Sequence, residues 1–143
     1  MTKVLVIQGA AMNMRGKVQV EVFGTSTLDD INKEIHGYGQ ELGIDIDIFH
    51  SNIEGEVVNY LYAAHDLGDV DACLINPAGY TTSSGVLRAA IAQVRFPVIE
   101  VHASNPTSRG TVSTIQPVSK GSVYGFGYYG YYLALEGVKH LIS

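Results

Sequence analysis

Two rhythms of hydrophobic residues alternate along the chain. "KVLVIQ" (residues 3–8) is apolar at consecutive positions and reads as a strand buried on both faces. Helical spacing follows over 25–42. Leu28, Ile31, Ile35, Tyr38 and Leu42 fall on one stripe, "TST" offers N-cap candidates, and Gly43 is a stop. "IDIDIF" (44–49) alternates apolar and polar residues, as a half-exposed edge strand does. "SNIEGEVVNYLYAAHD" (51–66) reads as a capped helix with Ile53, Val57, Leu61 and Ala64 on one face. "ACLIN" (72–76) is a third, buried strand, followed by a helix over "SSGVLRAAIAQV" (83–94). "PVIEVH" (97–102) is a fourth strand, "GSVYGFG" (121–127) a fifth, and "YYLALEGVKHLI" (131–142) a final helix.

Strands that alternate with helices predict a parallel sheet covered on both faces, joined by right-handed crossovers. Five strands in this order predict an α/β, flavodoxin-like three-layer sandwich. No internal repeat, linker or charge run divides it, so residues 1–143 read as a single domain. Ligands in such folds sit beyond the carboxyl ends of the strands, where the strand order switches. The informative segments are therefore "QGAAMNMRG", "SN", "NPAGYTTSS" and "HASNPTSRG", each just after a strand.

Composition narrows the function classes. Charged residues make up 16% of the chain, against roughly 25% in ordinary soluble domains, which predicts an oligomer that hides part of its surface. A net charge of -5 argues against nucleic acid as a partner, because no basic patch is available to neutralise phosphates. The single cysteine, Cys73, cannot form an internal disulfide and reads as an inert core thiol. The opening "MTKVLVIQG" is too short and too early broken by glycine to be a signal peptide, and no apolar run approaches the ~20 residues of a membrane span. A cytoplasmic chain with no membrane partner is the expectation.

The fourth strand carries the sharpest chemistry. Side chains alternate along a strand, so Glu100, His102 and Ser104 in "IEVHASN" are expected on one side at its carboxyl end. A carboxylate two residues from a histidine can orient the ring and raise its basicity, which suits a general acid or base. A purely structural hydrogen-bonded pair fits the same spacing. Ser104 and the neighbouring backbone amides could receive a carboxylate. In "NPAGYTTSS", Asn76-Pro77 begins a turn and Ala78-Gly79 permits close backbone approach to a ligand. An ordinary strand-to-helix turn with Thr81 or Thr82 as N-cap fits equally. "GAAMNMRGK" has neither the glycine spacing of a dinucleotide fingerprint nor the Ser or Thr that follows Gly-Lys in a phosphate loop. His36, His50, His65 and His140 show no ligand spacing, so no metal site is expected. Arg88 reads as solvent-facing or interfacial, and the Tyr-rich "VYGFGYYGYYLALEGV" as packing or an oligomer contact.

The pieces "VLVIQG", "FGT", "SNIEGEVVNYLYAA", "INPAGYTTSS", "IEVHASN" and "GYYLALE", in this order and over nearly the whole chain, resemble type II 3-dehydroquinate dehydratase. That resemblance implies the shikimate and quinate pathways, hydro-lyase chemistry through an enolate, no cofactor, and a dodecamer built from trimers. It implies His102 as the general acid, Glu100 as its support, and Asn76, Ala103, Ser104 and Arg109 as binders of a small hydroxylated carboxylate. At other family positions the chain departs. The lid tyrosine that takes the proton reads Phe23, its activating arginine Val18, and the lid asparagine Ala11, with Asn13 nearby. A histidine of the third-strand loop reads Thr82, and an aspartate that reaches a neighbouring subunit reads Ala89. The second arginine beyond Arg109 is missing from a segment about three residues shorter than the family pattern. These changes imply a pocket with a more apolar wall around Ala11, Val18, Phe23, Thr82 and Ala89. Three functions remain compatible: a family member acting on a related hydroxy-carboxylate, a non-catalytic oligomeric binding paralogue, or a dehydratase with a substitute base. That base could be Lys17 or a tyrosine of a neighbouring subunit.

Overall fold

The computed structural model describes residues 1–83 and 85–143. Five parallel strands, β1 (Thr2–Ala10), β2 (Ile44–His50), β3 (Ala72–Ala78), β4 (Val98–His102) and β5 (Gly121–Tyr124), form one sheet in the order β2-β1-β3-β4-β5. Its helices are α1 (Val20–Phe23), α2 (Leu28–Leu42), α3 (Glu54–Leu67), α4 (Val86–Gln93) and α5 (Tyr129–Ile142).

The strand pleat explains why β1 is apolar at consecutive positions. Val4 and Val6 point to one face, where α2 and α5 supply Ile31, Ile35, Tyr131, Leu135 and Val138. Leu5 and Ile7 point to the other, against Val57 and Leu61 of α3 and Leu87 and Ile91 of α4. Both faces are therefore dry, and the three-layer α/β sandwich predicted from the sequence is present. β2 lies at one edge, as its alternation predicts.

Helix α2 starts where its chemistry dictates. Thr27 and Asp30 form a reciprocal capping box: Asp30 N–H donates to Thr27 Oγ1 (3.2 Å) and Thr27 N–H to Asp30 Oδ2 (3.0 Å). Gly43 ends it in the left-handed region, φ 70°.

Three sequence expectations need correction. Helix α3 begins at Glu54 rather than Ser51, because the Ser51 hydroxyl accepts Ile53 N–H (2.9 Å) and donates to Glu56 Oε1 (2.5 Å). Ile53 is consequently 61% exposed and not part of the buried face. Helix α4 begins at Val86, capped by Gly85 and not by a threonine; Thr81 Oγ1 instead donates back to Ala78 O (2.6 Å). Ser84, within the stretch expected to be helical, lies outside the described residues.

The strand order switches at β1, which has β2 on one side and β3 on the other. There the two backbones press together: a Cβ at Gly9 would lie 2.1 Å from Pro77 O. Only glycine fits, and the contact locks the carboxyl ends of β1 and β3 side by side.

Candidate active site

A cavity of about 370 Å³ opens at these carboxyl ends. One wall comes from β3, β4 and the loops after them, with Asn76, Thr81, Thr82, His102, Ala103, Ser104 and Arg109 among its residues. The other comes from the segment between β1 and α2, through Ala11, Arg15, Gln19 and Phe23. We refer to this second wall as the lid: it is a single 3-10 turn (Met12–Met14), a bend, and the four-residue helix α1.

On the sheet wall, Glu100 is fully buried behind His102, and its Oε2 lies 2.8 Å from His102 Nε2. Ser113 Oγ (2.5 Å) and Tyr124 OH (2.7 Å) also donate to this carboxylate. Burial alone would raise its pKa. The hydrogen bonds from His102, Ser113 and Tyr124 outweigh that effect and hold it below the ordinary value of 4.5. An ionised carboxylate only accepts, so the bond assigns a proton to Nε2. Among the described residues nothing bonds Nδ1, which is left for a ligand. Burial and the adjacent Glu100 together raise the Tyr124 phenol, which stays a donor.

Asn76 is fixed just as firmly. Its Nδ2 donates to Tyr131 OH (3.0 Å), its Oδ1 accepts Ala78 N–H (3.2 Å), and Tyr131 OH donates in turn to Gln8 Oε1 (2.7 Å). Gln8, Asn76 and Tyr131 are all buried. One amide N–H of Asn76 and one lone pair of its oxygen remain uncommitted. Ser104 Oγ accepts from Arg109 Nη1 (3.0 Å), which leaves its own hydroxyl proton free to donate.

The lid is held by fewer bonds. Ala11 N–H donates to Asn52 Oδ1 (2.8 Å), and Tyr128 OH donates to Phe23 O (3.0 Å). Asn13 does not take the place of an asparagine at Ala11, because its side-chain oxygen accepts from Asn52 Nδ2 (3.2 Å). The Phe23 ring packs under the Arg15 guanidinium, 3.8 Å from ring centroid to Cζ. Ala11 (φ 74°), Gln19 (φ 51°) and Ala78 (φ 45°) have positive φ without being glycine, and all three line this cavity. Each such conformation costs on the order of 1–2 kcal/mol, and strain of this kind collects at ligand sites.

The structure thus brings His102, Asn76, Ala103, Ser104, Arg109, Ala11, Phe23 and Thr82 to one cavity, with Glu100 directly behind. One position expected on its wall lies elsewhere: Val18 turns outward after the turn at Gly16 and is 45% exposed. Ala89, at the position expected to reach a neighbouring subunit, is exposed on α4 and outside this chain's cavity. Lys17 is likewise exposed and outside the cavity. Arg15, Gln19 and Thr111 were not singled out from the sequence, nor were the buried supports Gln8, Ser113 and Tyr131 or the half-buried Tyr124. A polar Gln8 inside an otherwise apolar strand was the visible signal for part of that support.

The family described as dehydroquinase class II matches residues 2–139. A 3-dehydroquinate dehydratase from Sulfurovum is 40% identical over 99% of this chain and 88% of its own length. The crystal structure of a type II dehydroquinase from Butyrivibrio crossotus superposes with a TM-score of 0.91, at 30% identity over 96% of this chain and 97% of that one. A 3-dehydroquinate dehydratase-like protein from Bifidobacterium longum gives a TM-score of 0.76 at 32% identity, covering 99% of this chain and 98% of that one.

Proposed function

This chain belongs to the class II dehydroquinase family, and from that premise we propose a hydro-lyase site for a small hydroxylated carboxylate, worked by His102. The observation that carries this reading is the Glu100–His102 pair, buried at the back of an open cavity that also presents Asn76 and Ser104. Ser104 and the Ala103 amide receive the ligand's carboxylate, with Arg109 beside them. Asn76 offers its spare amide proton to a ligand oxygen. Glu100 stabilises the imidazolium form of His102, whose Nδ1 proton goes to the departing hydroxyl; the C–O bond breaks and water leaves.

Removal of the substrate proton is the weak step. The lid presents Phe23, which has no ionisable oxygen, and the other described cavity residues besides His102 are amides, hydroxyls, arginines or apolar groups. A positioned general base contributes typically ~10²–10⁴-fold. We therefore expect 3-dehydroquinate to be dehydrated well below ~1 s⁻¹, the low end of ordinary enzyme turnover. A ligand with fewer hydroxyls on its lid-facing side suits the Phe23 and Ala11 wall better. A filled cavity would favour a purely structural paralogue; this one is open.

The test is steady-state turnover of 3-dehydroquinate, followed by the absorbance of the unsaturated product, with His102→Ala as control. Turnover in the usual ~1–10³ s⁻¹ range would overturn the slow-base reading and leave a working dehydratase with a substitute base. Activity that survives His102→Ala would overturn the site itself.

The same reading makes residues 1–143 one cytoplasmic domain that assembles as a trimer-based dodecamer. Its support is the low charge content and the apolar side chains left on the surface, among them Val20, Val22, Val86, Val112 and Phe126. Light scattering that reports a monomer would refute the assembly. Among the described residues no helix is long and apolar enough to cross a membrane.

A further inference from the structure

The cavity has a charge pattern that a single carboxylate does not explain. Two guanidinium groups line it, Arg15 from the lid and Arg109 from the loop after β4, and among the described residues no aspartate or glutamate does. Neither arginine has an ion-pair partner among the described residues. The nearby Glu100 is fully buried and committed to His102, Ser113 and Tyr124. In a chain of net charge -5, unpaired cations gathered at one cavity are a local reversal of sign.

Their geometry divides the work. Arg109 Nη1 is bonded to Ser104 Oγ, so this cation belongs to the end of the cavity that receives the first carboxylate. Arg15 is separate: it is half-buried, and its Cζ lies 3.8 Å from the Phe23 centroid, while Arg109 Cζ lies 5.9 Å from the same centroid. One aromatic ring thus holds two cations at unequal distance, both within the range of cation–π attraction. Burial pulls the Arg15 pKa down from its ordinary value, with Tyr128 opposing, but a guanidinium remains charged at neutral pH. The two like charges repel until anionic oxygens arrive.

We propose that Arg15 is a ligand-binding residue that receives a second anionic oxygen, so that this site takes a ligand with one carboxylate at Ser104–Arg109 and a further oxyanion on the Phe23 side. This rests on the proposed carboxylate site. The second oxyanion has two possible sources with the same chemistry: the enolate oxygen formed when a substrate loses its proton, or a permanent second carboxylate.

Titration calorimetry with glutarate and succinate, against butyrate as a monocarboxylate of similar size, tests the permanent case. The wild type is expected to bind one of the dicarboxylates at least ~10-fold more tightly than butyrate, as charge-assisted hydrogen bonds allow. Arg15→Met should erase that preference while butyrate affinity stays within about twofold, and Arg15→Lys should restore it only in part, because ammonium lacks the planar fork. Steady-state kinetics with 3-dehydroquinate test the transient case: Arg15→Met then lowers kcat ~10–100-fold with little change in KM, the mark of an interaction made in the transition state. A wild type without dicarboxylate preference, together with a kcat that Arg15→Met leaves unchanged or an absence of measurable turnover, overturns the proposal. The His102 reading fails separately: an Arg15-dependent preference for dicarboxylates in a protein that dehydrates nothing refutes the reaction and leaves Arg15 in its role.

Discussion

His102, Asn76 and Ser104 each lean on a second protein group, and two of those supports, Glu100 and Tyr131, are buried and bonded again to Ser113, Tyr124 and Gln8. Across the cavity, Ala11 and Phe23 are hydrogen-bonded through their backbones alone among the described residues, and Ala11 and Gln19 sit at positive φ. The sheet wall is positioned by a network that spans β1, β3, β4, β5 and α5. The lid wall is positioned by a few bonds and a ring under a guanidinium. Chemistry needs fixed geometry, so the proposed acid–base pair belongs on the sheet; ligand choice can change with the side chains of a loop, so the same proposal assigns it to the lid.

Phe23→Tyr breaks this division most sharply, because it gives the lid a proton acceptor. Arg15 lies beside the ring and would lower the new phenol's pKa. Turnover of 3-dehydroquinate should rise by about 10²-fold. No rise would place the ring away from the substrate's acidic carbon.

Glu100→Gln attacks the other wall. An amide cannot stabilise the imidazolium of His102, and it offers a donor where Ser113 and Tyr124 also donate. We expect at least ~10-fold less turnover of any substrate that depends on His102, and a stability loss of about 2 kcal/mol, read from kcat and Tm together. The pH profile separates the charge from the packing. The Glu100 pKa is below its ordinary 4.5 in the folded state, so its stabilisation is complete above the unfolded value. It is lost as pH falls through the folded one. The wild-type Tm should drop below about pH 4.5 more steeply than that of Glu100→Gln; parallel profiles would contradict the assigned charge.

Tyr131→Phe removes one hydroxyl yet strands two buried amides, Gln8 and Asn76. The expected cost is about 1–3 kcal/mol, seen as a lower Tm, together with weaker carboxylate binding as Asn76 loosens. The smallest effect belongs to the lid: Ala11→Gly relieves a left-handed alanine and should stabilise by about 0.5–1 kcal/mol. A loss of stability there would mean that the alanine side chain contributes more than its strain costs.

The scaffold was legible because its signals are local and repeated. β1, α2, α4 and α5 each carry a period that allows few alternatives, and Thr27, Asp30 and Gly43 mark the ends of α2 in the sequence itself. The Glu100–His102 pair was legible for a related reason, since strand alternation fixes which side chains share a face. The lid was not. Its path depends on positive φ at Ala11 and Gln19, residues that do not advertise that conformation as glycine would, so neither the inward turn of Arg15 nor the outward turn of Val18 could be read from spacing. Ser113 and Tyr124 were hidden for a third reason: Tyr124 meets Glu100 because β5 pairs with β4, and Ser113 reaches the same carboxylate from the loop before β5, thirteen residues along the chain.

Tyr131 also sets an order of events during synthesis. Gln8 is made 123 residues before the hydroxyl that satisfies it, and Asn76 waits on the same group. Until α5 has emerged from the ribosome, the carboxyl ends of β1 and β3 hold two amides that cannot be buried without loss, so the proposed site is expected to be the last part of the molecule to mature. A stalled or shortened nascent chain would keep that end wet, which makes limited proteolysis of ribosome-bound chains a direct way to watch the site form.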